Sequence, residues 1–283
     1  MRASELLKRY AAGERKFGQV SLWGVNLSRA SLEGIDLSQA DLRGANLRGV
    51  IFKDAQLRQA NLAEADLTGA NLQGSDLCGA VLEGANLTEA LVINADLRGA
   101  CLVQAILNKA NLTNTNLSDS DLGSAHLWGA NLCGARLMST NFRSANLRGA
   151  YLCQAVLSGD LSEANLSGAN LSWTVLAGAI LDEAILSDAE LNSANLVGAR
   201  LCGAKLRGAN LRGADLTNAD LSRVNLSEAN LSMARLTGTI LSGAVLSGAD
   251  LRGTNLSDAN LTEVRLLGAN LRGVALPDNV TLI

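Results

Sequence analysis

Residues 40–49 read Ala40-Asp41-Leu42-Arg43-Gly44-Ala45-Asn46-Leu47-Arg48-Gly49, one five-residue phrase stated twice. Working outward in both directions, the phrase does not stop. From Leu22 a Leu recurs at every fifth position, with Phe52, Val92 and Phe142 as the exceptions. Two positions before it stands a small residue, nearly always Ala. One position before it stands Asn or Asp most often, and two after it Gly is the commonest choice.

A period of five fits neither regular element. On an α-helix each step of five turns about 140°, which scatters the Leu residues round the cylinder, and a Gly in many units costs about 1 kcal/mol each relative to Ala. A straight strand sends successive Leu side chains to opposite faces. Within one unit, however, Ala and Leu lie two apart and both point inward if the chain is briefly extended and then turns. The Gly and small polar residues after the Leu supply the turn. Four such corners close a square. The spacing therefore predicts coils of about 20 residues stacked at about 4.8 Å, with about 52 units giving about 13 coils and a length of roughly 60 Å.

With the consensus Ala-(Asn/Asp)-Leu-x-Gly held over about nine-tenths of its length, the chain resembles the pentapeptide-repeat family. The resemblance implies an all-β fold, a right-handed quadrilateral β-helix. The opening stretch Glu5-Leu-Leu-Lys-Arg-Tyr-Ala-Ala-Gly-Glu-Arg-Lys-Phe17 is similar to the N-terminal segments of cyanobacterial members, a regulator of heterocyst differentiation among them. That narrower similarity implies a transcriptional or differentiation regulator as partner.

The expected organisation is a helical cap over residues 1–17, a repeat region over 18–276 and a tail over 277–283. Leu6, Leu7 and Tyr10 fall on one face of a short helix, with Ser4 as N-cap and Gly13 as stop, and Phe17 plugs the first coil. Pro277 ends the pattern, after which Val280, Leu282 and Ile283 are placed to cover the last coil or a symmetry mate. Open strand edges invite association, so the expected state is a monomer or an end-to-end dimer. The frame breaks once, where Leu157 is followed by Leu161 and stacking by twenties must become stacking by nineteen.

Composition agrees with a thin core. Aromatic residues are 3% of the 283, too few to fill a wide interior, and the single Pro leaves the repeat uninterrupted. The net charge of −3 selects neither nucleic acid nor anionic lipid. With no apolar run of signal or membrane-span length, the expected location is cytoplasmic, without membrane or direct nucleic-acid binding. The five Cys include no CxxC. Cys133 and Cys153 are 20 apart and should lie on adjacent coils, a coincidence in a tolerant position being favoured over a redox or metal role.

Catalytic chemistry finds little support. His126, the one imidazole, stands at an outward position without a nucleophile and orienting group placed to use it, and no phosphate-cradling or zinc-spaced motif occurs. No cofactor is expected. Asp76 and Asp96 stack with Arg98 beside them, and Arg252 stacks with Arg272; a solvated charge ladder is the favoured reading over acids sharing a proton.

The surface carries more information. Trp128, Met138, Tyr151, Val156, Trp173, Val175, Ile180 and Ile185 all fall at outward positions, and exposed aromatics in so aromatic-poor a chain point to a contact site. Tyr151 and Trp173 should share one wall. Asp160, Glu163, Asp182 and Glu183 lie in a stretch without Lys or Arg, followed by Arg200, Lys205, Arg207 and Arg212, a contrast that would orient a docking protein. The candidate partner-binding residues are thus Trp128, Met138, Tyr151, Trp173, Val175, Asp160, Glu163, Asp182 and Glu183. The expected function is a non-catalytic protein interaction module, regulatory or scaffolding. The alternative, which the family resemblance implies, is a DNA mimic acting on a type II topoisomerase such as gyrase.

Overall fold

The computed structural model describes residues 1–278, so Val280, Leu282 and Ile283 lie outside the described residues. The chain forms two compact units, Met1–Asn146 and Leu147–Ile283.

In each unit the residue before the central Leu forms parallel β-bridges to its counterparts 20 residues away, as in Asp66↔Asn86 of the first unit and Asn210↔Asn230 of the second. The five residues Ala209–Gly213 explain the consensus. The Ala209 N–H closes a turn onto the Leu206 carbonyl (3.0 Å), Asn210 donates back one coil to Ala189 (2.9 Å), and Leu211 donates forward to Asn230 (2.7 Å). Gly213 also donates forward, to Ser232 (3.0 Å). That leaves the Arg212 N–H, which the Asn210 side-chain oxygen accepts (3.2 Å). A side-chain acceptor two residues earlier satisfies this donor at the units that carry Asn or Asp before the Leu, at a gain of about 0.5–1.5 kcal/mol each.

At two departures from Asn or Asp another side chain accepts instead. Where His126 or Arg200 precedes the Leu, the N–H groups of Trp128 and Cys202 are accepted by Asn108 and Asp182, one coil back, each at 3.0 Å. Thr takes some of the Ala positions: Thr115, Thr140, Thr174 and Thr254 are buried, and each hydroxyl donates to a carbonyl of the preceding coil. Among the described residues no buried side-chain N or O lacks a partner.

Ala and Leu point inward and are almost all fully buried, forming a core about two side chains wide. The residue two after the Leu turns the corner in the left-handed region, as Gly213 does at φ 66. At the frame break the strand β2 (Val156–Asp160) runs extended through the place of a corner. Tyr151↔Asn170 and Val156↔Val175 are 19 apart, and the interval returns to 20 at Asp160↔Ile180. A second extended piece, β1 (Arg136–Asn141), lies in the first unit.

The helix α1 spans Ala3–Ala11. Its N-cap is Arg2 rather than Ser4, without a side-chain cap, and Gly13 follows its end at φ 96. Leu6 is fully buried and the Tyr10 hydroxyl donates to the Glu33 carbonyl (2.9 Å), two residues four apart on one face. Leu7, one step of 100° round the helix, is 37% exposed and does not join that face. Phe17 is buried at the central position of the first unit, its neighbour Lys16 bridging to Asp36.

The two roles in one unit separate energetically. Leu226→Ala, deep in the core, should cost about 2–5 kcal/mol, whereas Asn225→Ala, which orphans the Ser227 N–H, should cost about 1 kcal/mol and Asn225→Asp less than about 0.5. Urea unfolding followed by circular dichroism checks the order.

Candidate partner-binding walls

The stacking sorts outward residues into columns. In the second unit one column is traced by donors at the corner residue and acceptors one coil on: Gln154 to Ser172, Trp173 to Asn192, Ser193 to Arg212, Gly213 to Ser232, Met233 to Arg252 and Gly253 to Arg272. Tyr151, bridged to Asn170, stands at the start of this wall, so Tyr151 and Trp173 occupy neighbouring coils of one face. They are 53% and 63% exposed.

The other candidates lie elsewhere. Val175 belongs to the next column, over Val156. Asp160, Glu163, Asp182 and Glu183 share a third: Asp160 bridges to Ile180, Glu163 donates to the Asp182 carbonyl, and Glu183 to that of Cys202. In the first unit Trp128 lies against Lys109, whose ammonium is 5.1 Å from the ring centroid, and Met138 stacks over Asp119 two corners away. Ile180 and Ile185 are half-buried. The seven candidates of the second unit therefore fall on three walls and not in a single patch.

Part of the charge is neutralised locally, between neighbouring residues and coils. Arg200 folds back onto Asp182 (2.5 Å) and Arg235 reaches Asp215 (3.6 Å). Asp76 and Asp96 do stack, but each has its own guanidinium, Arg58 and Arg98. A hydrogen bond from Arg98 holds the Asp96 carboxyl below the usual range, and Arg43 and Arg252 do the same for Asp41 and Asp250. Exposed pairs of this kind are worth about 0–1 kcal/mol each.

His126 is exposed above Ile106. Among the described residues, no cluster of three or more His, Cys, Asp or Glu is gathered for a metal, and no helix is long and apolar enough to cross a membrane. Cys78, Cys101 and Cys202 are free, half-buried thiols. Cys133 in the first unit and Cys153 in the second are each disulfide-bonded.

Sequence reasoning passed over Trp23 (71% exposed), Met233 (66%) and Leu267 (85%). For Met233 a signal was present: a large apolar residue two after the Leu, where Gly is the norm. Among the described residues, Trp173 (φ 61) and Met233 (φ 60) are the only apolar residues held in the left-handed region, every other non-glycine there being polar or charged. Both stand on the same column. Room is left for Met233, since a Cβ at Gly253 would lie 2.8 Å from its sulfur.

Repeating coils of this kind, with a two-residue core and side walls open to solvent, define a β-helical repeat solenoid. Pentapeptide repeats match overlapping segments that together run from residue 16 to residue 276, and the chain belongs to the pentapeptide-repeat family, whose fold is a right-handed β-helix. It is 34% identical to HetL from the cyanobacterium Nostoc sp. strain PCC 7120, a pentapeptide repeat protein involved in heterocyst differentiation regulation, over 100% of both chains with a TM-score of 0.24. A pentapeptide repeat protein from the cyanobacterium Cyanothece 51142 is 34% identical over 44% of this chain and 63% of its own, with a TM-score of 0.15. The plasmid-mediated fluoroquinolone resistance protein QnrB1 is 18% identical over 93% of this chain and 92% of its own, with a TM-score of 0.26. No curated protein matches the chain.

Two measurements check this account. Asp41, Asp96 and Asp250 have folded pKa values below their unfolded ones, so their contribution is complete above about pH 4 and is lost as pH falls through the lowered values. Urea midpoints should fall between pH 5 and pH 2 (about, from the same linkage), and Asp96→Asn should flatten the fall. Trp173→Gly and Met233→Gly should each raise stability by up to about 1 kcal/mol, because Gly removes the left-handed strain while the lost side chains are solvent-exposed. Calorimetric melting of the two variants reads this directly.

Proposed function

We propose that the chain is a non-catalytic interaction module that presents a side wall of its solenoid to a protein partner, in a regulatory or scaffolding role. The observation that carries this reading is Trp173. A Trp at φ 61 costs about 1–2 kcal/mol of backbone strain and, being 63% exposed, returns little to folding. Large aromatics at exposed positions supply binding energy with little entropic loss, and Tyr151 stands one coil away on the same wall. Trp128, Met138 and Val175, with the acids Asp160, Glu163, Asp182 and Glu183, are secondary contact candidates on other walls.

The full-length identity to a protein involved in heterocyst differentiation regulation supports a differentiation or transcriptional regulator as the partner; the step is an analogy. The domain layout that goes with this reading is a helical cap over 1–17 using Leu6, Tyr10 and Phe17, about 13 coils over 18–276, and a tail over 277–283. The protein works in the cytoplasm, as a monomer or an end-to-end dimer, without cofactor. DNA mimicry toward a type II topoisomerase is the weaker reading, because it needs a long uninterrupted acidic stripe and Arg200 and Arg223 interrupt the wall that bears Glu163, Asp182 and Glu183.

Affinity capture from the source cytosol, comparing wild type with a folded Tyr151→Ser/Trp173→Ser variant, tests the proposal. One protein retained by wild type and lost from the variant is the expected result. The same protein retained by both would move the site off this wall, and none retained by either would remove the support for an interaction module.

A further inference from the structure

Beyond Trp173 the same wall continues into a cleft of about 550 Å³ lined by Arg212, Ser232, Met233, Arg252, Arg272 and the glycines beside them. The three arginines occupy one column, the position after the central Leu, and all three are exposed. Arg252 is held by Asp250 (2.6 Å). Arg212 and Arg272 have no ion-pair partner among the described residues. The wall's other acid, Glu190, accepts a hydrogen bond from Asn210 (2.7 Å). Two guanidiniums therefore stand uncompensated three coils apart, on a chain that elsewhere pairs many of its arginines with a neighbouring carboxylate.

From these positions we infer that this wall of the second unit is a docking groove for an extended acidic segment of a partner protein, with Trp173 and Met233 as its apolar contacts and Arg212 and Arg272 as its carboxylate contacts. The inference rests on the interaction-module reading and specifies its ligand chemistry. At about 4.8 Å per coil, Arg212 and Arg272 are separated by about 14 Å, the distance spanned by four residues of extended chain at about 3.4 Å each. Because strand side chains alternate, residues four apart face the same way, so two acids at that interval reach both guanidiniums. Trp173 and Met233 are also three coils apart, and the whole groove from Trp173 to Arg272 is about 24 Å, or about seven extended residues.

Magnitudes favour a peptide over the other polyanions. Nucleic-acid binding at physiological salt draws on about 6–10 phosphate contacts. Two uncompensated arginines interleaved with a Met and flanked by Glu190 fall short of that. A small anion would need an enclosed site, whereas this cleft opens along the wall. Met233 in its lining and Trp173 farther along the wall have no use for a phosphate backbone and suit an aliphatic or aromatic side chain.

The test uses the full-length protein as bait for a random 12-residue displayed peptide library at physiological salt. Selected peptides should be enriched in Asp or Glu pairs about four apart with an aromatic or aliphatic neighbour. A fluorescein-labelled selected peptide should lose at least about tenfold in affinity with Arg212→Glu/Arg272→Glu, the loss expected of two charge contacts. Lys205→Glu, on another wall, should leave it unchanged, with circular dichroism verifying the fold of each variant. Peptides without acidic enrichment, or binding indifferent to the double reversal, would overturn the groove while leaving an interaction module that uses another wall. Failure to select any peptide would overturn it too, and a duplex oligonucleotide or phosphatidylglycerol vesicle that binds wild type and not the double variant would reassign the arginines to a different polyanion. Failure of the module reading itself is read separately, from the cytosol capture.

Discussion

The interaction on which this structure depends is the pairing of backbone donors and acceptors between stacked coils. Four of the five backbone donors in a unit find carbonyls by stacking and turning, and the fifth finds none, as the Arg212 N–H illustrates. At the units with Asn or Asp before the Leu, that side chain accepts from it two residues on. Asn and Asp are short enough to fold back in this way. The repeat is therefore held by backbone pairing between coils and by the Leu and Ala packed within them, with Asn and Asp adding a local bond where they occur. At His126 and Arg200, where it is missing, the coil below supplies an acceptor through Asn108 and Asp182. Because the coil-to-coil bonds are made by the backbone whatever the side chain, the walls are free to vary.

The corner residue sets the limits of that variation. Its left-handed backbone admits Gly without strain and Asn, Asp and other polar residues at modest cost. Trp173 and Met233 break this rule on one column, and in both the large side chain lies in solvent. Folding alone gives no reason for either. Their coincidence with the uncompensated Arg212 and Arg272 makes this wall the most distinctive surface of the second unit, and each of the four owes its place to the corner or to the position preceding it.

Electrostatics otherwise acts at short range. Runs of like charge in the sequence suggest acidic and basic bands, yet stacking brings residues 18 to 21 apart into contact, and Arg58, Arg200 and Arg207 meet Asp76, Asp182 and Glu228 on neighbouring coils. The apparent bands are thereby cancelled in part. What survives is the charge that stacking fails to pair.

The sequence by itself determined the coil: a five-residue period that suits neither helix nor strand, Leu and Ala two apart, and a turn residue after them left a stacked coil of about 20 residues as the consistent geometry, and the outward position of Tyr151 and Trp173 followed. It also located the register change between Leu157 and Leu161. It did not determine that Arg2 rather than Ser4 precedes α1, or that Leu7 stays exposed, since one residue of helix phase decides both. Only the tertiary structure decided which charges are neutralised and that Met233, 60 positions from Trp173, stands on the same wall. The reason is physical. Composition and period are local properties that fix how one unit folds, whereas the pairing of charges and the joining of distant residues into one surface depend on which coil lies against which.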